Sequence, residues 1–258
     1  MINYLFACDL DNTLIHSYKH KADDDICIEI YNDREQSFIS SRAAELLKEA
    51  VKKVSFIPIT TRSIEQYRRI QWLEGTKPDF AVVSNGANLL YKDIINPNWR
   101  QNIHSCIQPY AEELNYQQNI LSQDENFTIC RIVDDSFLFL KCSDTIEAER
   151  ISTKLQKQTT LVVQHSGRKI YLFPPKINKG EALLKLEAEF KPAKTFAAGD
   201  SVIDVPMLKL ADFAYIASNM SFFPHNHCEE FKSIETVLQK LTTLENCSEL
   251  DLQPVSAS

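Results

Sequence analysis

The segment YLFACDLDNT, residues 4–13, changes abruptly from apolar to polar. Tyr4 to Cys8 is a short apolar run, which is typical of a strand buried on both faces. Asp9 and Asp11 follow at the point where that strand ends. In open α/β sheets, ligands bind outside the carboxyl ends of the strands. The segment therefore predicts a buried strand that delivers two carboxylates to a ligand site.

Strand and helix signals alternate on both sides of the middle of the chain. Apolar runs at residues 54–59 and 80–84 predict further buried strands. Ser63 and Gln66 resemble a capping box for a helix that runs to about Glu74. Such alternation predicts a parallel sheet covered by helices. The pattern resumes after residue 174, with a helix from Asn178, strands at residues 195–198 and 213–217, and a last helix at about residues 233–244.

The middle of the chain has a different pattern. Residues 127–142 and 161–173 each contain two short strand-like runs around a turn, which predicts two hairpins. Helical stretches lie beside them, one of them interrupted at Pro109. We therefore predict an α/β fold. Its Rossmann-like parallel sheet core comprises residues 1–86 and 174–258, and an α+β cap domain, residues 87–173, is inserted into it.

Composition excludes several classes of protein. The chain has 258 residues and a formal net charge of −7, which argues against nucleic-acid binding, since such a surface must neutralise phosphates. Its seven cysteines include no CxxC pair, so we expect reduced thiols and a cytoplasmic protein. The apolar start is too short for a signal peptide, and no apolar run could span a membrane. We expect a monomer or homodimer, and a surface loop at residues 225–228.

The acidic residues at strand ends predict phosphoryl chemistry. Asp9 is a plausible nucleophile, and Asp11 a plausible general acid and then base. A carboxylate that attacks a phosphate ester meets strong repulsion, so a divalent cation and a positive side chain must neutralise charge. Asp200 and Asp204 offer hard oxygen ligands suited to Mg²⁺. Lys179 offers the positive charge.

Other polar residues near these strand ends have more than one interpretation. Thr60 would donate its hydroxyl to the phosphate, or it would only cap a strand end. The backbone N–H groups of Asn12 and Thr13 would cradle the phosphate. Lys19 and His20 follow the first motif, and either meet an anionic substrate or belong to a solvated loop. Read alone, Lys179 is more often a solvated lysine at the start of a helix.

Four motifs occur in the order typical of one superfamily. DLDNT at residues 9–13, ITTR at 59–62, NKG at 178–180 and GDSVID at 199–204 resemble those of the haloacid dehalogenase (HAD) superfamily. The insert between the second and third motifs resembles the branch that contains Cof-type sugar phosphatases and sucrose-phosphate phosphatase. Asn12 stands where glycine is frequent, and asparagine tolerates unusual backbone angles.

The resemblance implies a role for each matching residue. Asp9 would form an aspartyl-phosphate and bind Mg²⁺, and Asp11 would act as acid and base and bind the metal through its carbonyl. Thr60 and Lys179 would hold the phosphate. The resemblance also implies that Asp200 ligates Mg²⁺ and that Asp204 is a ligand or lies just behind one. Residues assigned to the substrate side are Arg62, Asn85 and Asn219.

These assignments predict a Mg²⁺-dependent phosphatase that acts on a small phosphorylated metabolite, in particular a sugar or polyol phosphate. A large cap favours small substrates because it blocks macromolecular access. A phosphomutase of the same branch is an alternative, in which the phosphate returns to the sugar. A third alternative is a regulator that binds a phosphorylated metabolite without turnover, although the complete set of acidic residues disfavours it.

Overall fold

The first third of the chain forms strands of a parallel sheet and an added hairpin. The computed structural model describes residues 3–218, 220, 225 and 227–245. The predicted strand after Asn3 has the expected bounds, and its last residue directly precedes Asp9. The elements of this part are β1 (Tyr4–Cys8), β2 (His16–Ser17), β3 (Asp25–Tyr31), β4 (Arg34–Ser40), α1 (Ser41–Ala50), β5 (Ser55–Pro58), α2 (Ile64–Arg68), β6 (Phe80–Val83), β7 (Asn88–Tyr91) and β8 (Ile94–Ile95).

The middle of the chain forms an antiparallel sheet with helices, as the two predicted hairpins indicate. A short 3₁₀ turn at Gln108–Tyr110 separates two helices near Pro109, whose ring excludes a regular helical hydrogen bond. The elements are α3 (Pro97–Ile107), α4 (Ala111–Leu121), β9 (Phe127–Val133), β10 (Phe137–Cys142), α5 (Thr145–Gln156), β11 (Val162–Ser166) and β12 (Lys169–Phe173).

The last third returns to the parallel sheet. The side chain of Asn178 accepts a hydrogen bond from the backbone N–H of Glu181, so this asparagine caps the helix that Lys179 begins. The elements are α6 (Lys179–Phe190), β13 (Lys194–Gly199), α7 (Val205–Leu208), β14 (Phe213–Ala217), β15 (Cys228–Phe231) and α8 (Ile234–Thr242).

The central sheet has the strand order β15-β14-β13-β1-β5, and each neighbouring pair is parallel. Leu5 and Ala7 of β1 belong to the same buried cluster as Leu183 of α6. Phe6 of β1 faces the other side and belongs to a cluster with Leu47 of α1. Helices therefore cover both faces, which explains why β1 is apolar throughout. The predicted α/β class with an inserted cap is confirmed.

The cap sheet has the order β11-β12-β10-β9 and is antiparallel. Leu138, Leu140 and Leu172 are fully buried on one face, and α4 and α5 contact β10. The alternate residues of the same strands face away from these helices, since side chains alternate along a strand. The second face of this sheet is therefore free to line a cavity.

The boundary between core and cap lies close to a small third sheet. β7 pairs antiparallel with β6, and β8 pairs with β7. A parallel bridge between Ile59 and Val82 joins β6 to the region that follows β5. The predicted boundary after residue 86 falls in the turn between β6 and β7, and the division of the chain into domains stays a prediction.

Two elements differ from the sequence expectation. The helix expected to reach about Glu74 ends at Arg68, because the backbone N–H of Gln71 donates to the carbonyl of Ile28 in β3 and leaves the helical pattern. The expected surface loop at residues 225–228 gives way at Cys228 to β15, an edge strand of the central sheet. Its sequence, CEEF, carries two charges and gives little strand signal.

The described cysteines form no disulfide. Within the ranges that the structure describes, no helix combines the length and the apolar character that crossing a bilayer requires.

Candidate active site

Three strand or helix ends bring Asp9, Lys179 and Asp204 into direct contact. Asp9 follows β1, Lys179 is the first residue of α6, and Asp204 precedes α7. The Lys179 ammonium lies 2.5 Å from a carboxylate oxygen of Asp9 and 2.5 Å from one of Asp204. Lys179 and Asp204 are buried almost completely. A buried lysine is costly unless it is paired, so these ion pairs fix its position.

Asp204 also organises the loop that carries Asp200. Its second oxygen, Oδ2, accepts hydrogen bonds from the backbone N–H of Asp200 at 3.1 Å and of Ser201 at 2.9 Å. The Ser201 hydroxyl donates to the same oxygen at 2.9 Å. Both oxygens of Asp204 therefore already have donors, and the residue holds the loop and the lysine.

The carboxylates of Asp9, Asp200 and Asp204 form a compact acidic cluster. One oxygen from each lies within 4.8 Å of the others. The Thr13 hydroxyl donates to Asp200 at 3.3 Å. Three ionised aspartates and one lysine leave two negative charges, which matches a divalent cation, and carboxylate oxygens are ligands of the kind that Mg²⁺ prefers. The residues present therefore fit a divalent metal.

Burial dominates the electrostatics of this cluster. It raises the pKa of Asp9 well above the ordinary value, although Lys179 opposes the change. Burial, with the nearby Asp204 charge, raises the pKa of Asp200 to about 6. The pKa of Lys179 is raised despite burial, because Asp204 and Asp9 stabilise its charge. Without a bound cation, Asp9 and Asp200 are therefore not both readily ionised.

Asp11 faces a different partner from Asp9. Nε and Nη2 of Arg62 each donate to one of its carboxylate oxygens, both at 2.8 Å. Burial raises the pKa of Asp11, but the Arg62 charge and hydrogen bonds outweigh it, so this pKa lies below the ordinary value. The guanidinium also donates to Glu29 at 2.8 Å and to Ser37 at 2.9 Å. Arg62 was assigned to the substrate side, and here its donors serve the protein.

The remaining predicted residues lie around the same site. Thr60 is fully buried, and its hydroxyl oxygen accepts from the backbone N–H of Arg62 at 3.2 Å. The side-chain amide of Asn85 donates to the carbonyl of Ile177 at 3.0 Å. Its buried Oδ1 has no hydrogen-bond partner among the described residues. Asn12 adopts a left-handed backbone with φ 64°, as its side chain permits. Asn219 lies outside the described residues.

Two spaces that share several lining residues lie between the core and the cap. A niche of about 30 Å³ touches Asp9, Asp11 and Lys179, and a larger cavity of about 680 Å³ also reaches Asp11. Lys169 and Tyr171 of β12 line both spaces. The larger volume is typical of a site for a small molecule.

Sequence reasoning missed several residues of this region. Glu29 and Ser37 belong to the β3–β4 hairpin, and they reach Arg62 only through the folded chain. Lys169 and Tyr171 lie in a strand whose two faces are both largely apolar, so its pattern did not show which side chains point to the cavity. The lysine at the start of that strand was the one available signal.

Comparison with known proteins places this site in a family. Residues 2–223 match the family model described as sucrose-6F-phosphate phosphohydrolase. No curated protein matches the chain in sequence. The sucrose-phosphatase from Synechocystis sp. PCC6803, solved with sucrose and phosphate, is 17% identical, has a TM-score of 0.67, and the match covers 93% of this chain and 97% of that one.

Two further solved structures share the fold. A HAD-superfamily phosphatase from Bacteroides thetaiotaomicron is 15% identical with a TM-score of 0.56, and the match covers 93% of this chain and 95% of that one. A trehalose-6-phosphate phosphatase related protein is 15% identical with a TM-score of 0.59, over 92% of this chain and 96% of that one. At these identities the likeness establishes the fold alone.

The fold, the ordered motifs and the acidic cluster define a HAD-superfamily phosphatase that acts on phosphate monoesters. Since the family match spans most of its length, the chain belongs to the sucrose-6F-phosphate phosphohydrolase family.

Proposed function

We propose that this protein is a Mg²⁺-dependent phosphatase that hydrolyses a small sugar or polyol phosphate through an aspartyl-phosphate on Asp9. The main support is the contact of the Lys179 ammonium with Asp9 and Asp204 at 2.5 Å, beside Asp200, in a niche that shares lining residues with the larger cavity. The proposal includes a monomer or homodimer in the cytoplasm, with core and cap divided as the sequence predicts.

The first step transfers the phosphoryl group to the protein. A carboxylate oxygen of Asp9 forms a bond to phosphorus, and the bond between phosphorus and the sugar oxygen breaks. Asp11 in its protonated form gives its proton to the leaving oxygen. Because the Arg62 guanidinium stabilises the carboxylate form of Asp11, Asp11 must turn away from Arg62 to act as this acid.

The second step releases phosphate. Asp11, now a carboxylate, accepts a proton from a water molecule while that water forms a bond to phosphorus. The bond between phosphorus and Asp9 breaks, which regenerates the free carboxylate. The pairing of Asp11 with Arg62 favours this basic form. Lys179 lies against Asp9 throughout and offsets the negative charge of the transferred group.

The acidic cluster would hold the metal. Asp9 and Asp200 offer carboxylate oxygens, Asp11 would contribute its backbone carbonyl, and Asp204 is the remaining acid of the cluster. Mg²⁺ bound there would neutralise charge on the phosphoryl oxygens. The three aspartates of the cluster outnumber its one lysine, which supports this assignment because a bound divalent cation would allow all three to ionise.

The cavity supports a sugar-sized substrate. The ring centres of Phe139 and Tyr171 lie 5.5 Å apart on the cap side of the cavity. These rings offer apolar faces of the kind that sugars contact. The related Synechocystis enzyme was solved with sucrose and phosphate, which favours sugar phosphates over other esters in the first screen.

A phosphate-release screen tests the proposal. We expect the protein to release phosphate from sugar phosphates when Mg²⁺ is present, and to lose this activity with EDTA or in Asp9→Asn. Asp79→Asn is the matched control, since Asp79 is exposed and lies at the amino end of β6, whereas the site lies beyond the carboxyl ends of the parallel strands. Full turnover by Asp9→Asn would overturn the proposal. Hexose-phosphate interconversion without net phosphate release would indicate a phosphomutase, and ligand binding without turnover would indicate a regulator.

A further inference from the structure

The cap side of the cavity is one face of the cap sheet. The register pairs Phe139 of β10 with Arg131 of β9 and with Tyr171 of β12. One row along, Lys141 of β10 pairs with Lys169 of β12. All five residues line the cavity. The face turned toward the core thus carries two aromatic rings and three cations in adjacent rows.

Lys141 and Lys169 are an unfavourable pair unless an anion lies near them. Residues directly opposite on antiparallel strands have Cβ atoms about 5 Å apart, and like charges in such positions are destabilising. Among the described residues, neither lysine forms an ion pair with a carboxylate. Tyr171, Asp11 and Asp9 raise the pKa of Lys169, so the protein itself supports the charge of that lysine. Lys141 has no carboxylate partner among the described residues, so its charge is the one that a bound anion would offset.

Arg131 extends this charge beyond the lysine pair. Its guanidinium lies 5.9 Å from the centre of the Phe139 ring, and no carboxylate of the described chain is paired with it. The acids of the cavity wall, Asp11 and Glu29, are already held by Arg62. In a chain of net charge −7, the cap side of this cavity is therefore a local positive surface.

The transferred phosphate does not account for all of these cations. Lys169 lines the niche that holds Asp9 and Lys179, so it is near the phosphoryl group. Lys141 and Arg131 line the larger cavity and are not part of the niche wall. Their charges are thus available to a different part of the same substrate.

We propose that the substrate carries a second anionic group, a carboxylate or a second phosphate, which Lys141 and Arg131 bind. This inference rests on the proposed function, because it names the class of phosphate ester that the site takes. A sugar phosphate that is otherwise neutral would leave the two cations without a partner, whereas a phosphorylated sugar acid or a sugar bisphosphate would neutralise them.

Matched substrates test the proposal. Sorbitol 6-phosphate is compared with 6-phosphogluconate, which has a carboxylate in place of the terminal hydroxymethyl group, and fructose 6-phosphate with fructose 1,6-bisphosphate, which adds a phosphate. We expect a kcat/KM at least about 10-fold higher for one or both anionic members, and a preference that weakens as salt is added. The two pairs distinguish a carboxylate from a phosphate.

Variants connect the preference to the residues. Lys141→Met should lower kcat/KM for the preferred anionic substrate about 10- to 100-fold, and this loss should exceed the loss of kcat/KM for the neutral member at least several-fold. Arg131→Gln should act in the same direction, so that misfolding of one variant does not decide the result. Lys157→Met is the control, because Lys157 is exposed at the end of α5 and does not line the cavity.

Calorimetric binding in EDTA separates this inference from the proposed function. If the anionic members bind more tightly and Lys141→Met removes the difference, the inference stands even when no ester is turned over, and only the proposed function fails. If neutral members bind or react equally well, or if Lys141→Met affects both members alike, the second anionic site is overturned.

Discussion

Arg62 connects three side chains that are distant from it in sequence. It donates to Asp11, Glu29 and Ser37, and Glu29 in turn accepts from Arg69 at 3.0 Å. Sequence reasoning identified Asp11 from its place after a strand, because that signal is local. It could not identify Glu29, because the contact with Arg62 joins residues 33 positions apart and depends on how the hairpin folds over the site.

Loss of the Glu29 charge should destabilise the protein most at neutral pH. Burial raises the pKa of Glu29, but Arg62, Ser37 and Arg69 outweigh it, so this pKa is lowered in the folded state. A lowered folded-state pKa stabilises the protein above the unfolded value of about 4.5, and that contribution disappears as pH falls through the folded value. We expect Glu29→Gln to lower the free energy of unfolding at pH 7 by about 3 kcal/mol.

Urea unfolding between about pH 7 and pH 3.5 checks this expectation. The difference in free energy of unfolding between Glu29→Gln and the unmodified protein should become smaller toward the acid end of the series. Glu35→Gln is the matched control on the same hairpin, because Glu35 is exposed and pairs with Lys21 at the surface; it should change stability by under about 0.5 kcal/mol. A difference in free energy of unfolding that stays constant with pH would exclude an effect of the Glu29 charge.

At the scale of elements, the ends of the strands were predicted better than the ends of the helices. β1 and β14 have the expected bounds because an apolar run stops at a polar residue. α2 ends earlier than its sequence indicates, because Gln71 bonds to β3 and not to the preceding helical turn. β15 was missed because an edge strand with two glutamates has no apolar run.

The turn after β13 should not accept a larger residue at Gly199. A Cβ atom there would lie 2.4 Å from the Cβ of Asp204, which is closer than packed atoms approach. We expect Gly199→Ala to shift the Asp204 loop, to cost about 2 kcal/mol of stability and to lower phosphatase activity at least 10-fold. Gly75→Asn is the control, since only the flexible Lys48 side chain lies near that position, asparagine accepts its left-handed backbone, and Gly75 does not line the cavity. Normal activity of Gly199→Ala would show that the loop adapts.

The β9–β10 turn docks the cap onto the core. Asp134 accepts from the backbone N–H of Ile64, the first residue of α2, at 2.9 Å, and from the hydroxyl of Ser84. We expect Asp134→Ala to speed amide hydrogen exchange at Ile64 about 10-fold, because a part-buried donor loses its partner. Asp135→Ala should leave the exchange rate at Ile64 unchanged, since Asp135 is exposed on the same turn. Unchanged exchange at Ile64 in both variants would contradict a docking role for Asp134.

At the scale of the whole molecule, the order of motifs predicted which side chains meet. Asp9, Lys179 and Asp204 come from widely separated parts of the chain and are in contact in the structure. The rule that ligands bind at the carboxyl ends of parallel strands predicted the positions of Asp9 and Asp204, and the order of motifs added Lys179, which begins α6. The cavity-facing residues of the cap could not be predicted, because both faces of its strands carry apolar residues.

Divalent metal should stabilise the folded protein. A ligand that binds only the folded state, at a free concentration 100 times its Kd, adds about 2.7 kcal/mol to the free energy of unfolding. Mg²⁺ should therefore raise the Tm by several degrees. Asp200→Asn removes one charge from the acidic cluster. We expect the metal-free variant to be more stable than the metal-free parent, and its Tm to respond little to Mg²⁺. Differential scanning calorimetry with Asp79→Asn as control measures both effects; an equal Mg²⁺ response in Asp200→Asn would exclude Asp200 as a ligand.

The β3–β4 hairpin touches the chemistry without supplying a reacting atom. Glu29 and Ser37 hold Arg62, and Arg62 holds Asp11. Glu29 and Ser37 of this hairpin also line the larger cavity, so shortening the hairpin to admit bulkier esters would also remove the side chains that hold Arg62 against Asp11. Shortening residues 25–40 to broaden the substrate range should therefore widen the cavity entrance and slow the enzyme. Substitutions confined to the cap sheet leave the contacts of Glu29 and Ser37 with Arg62 in place.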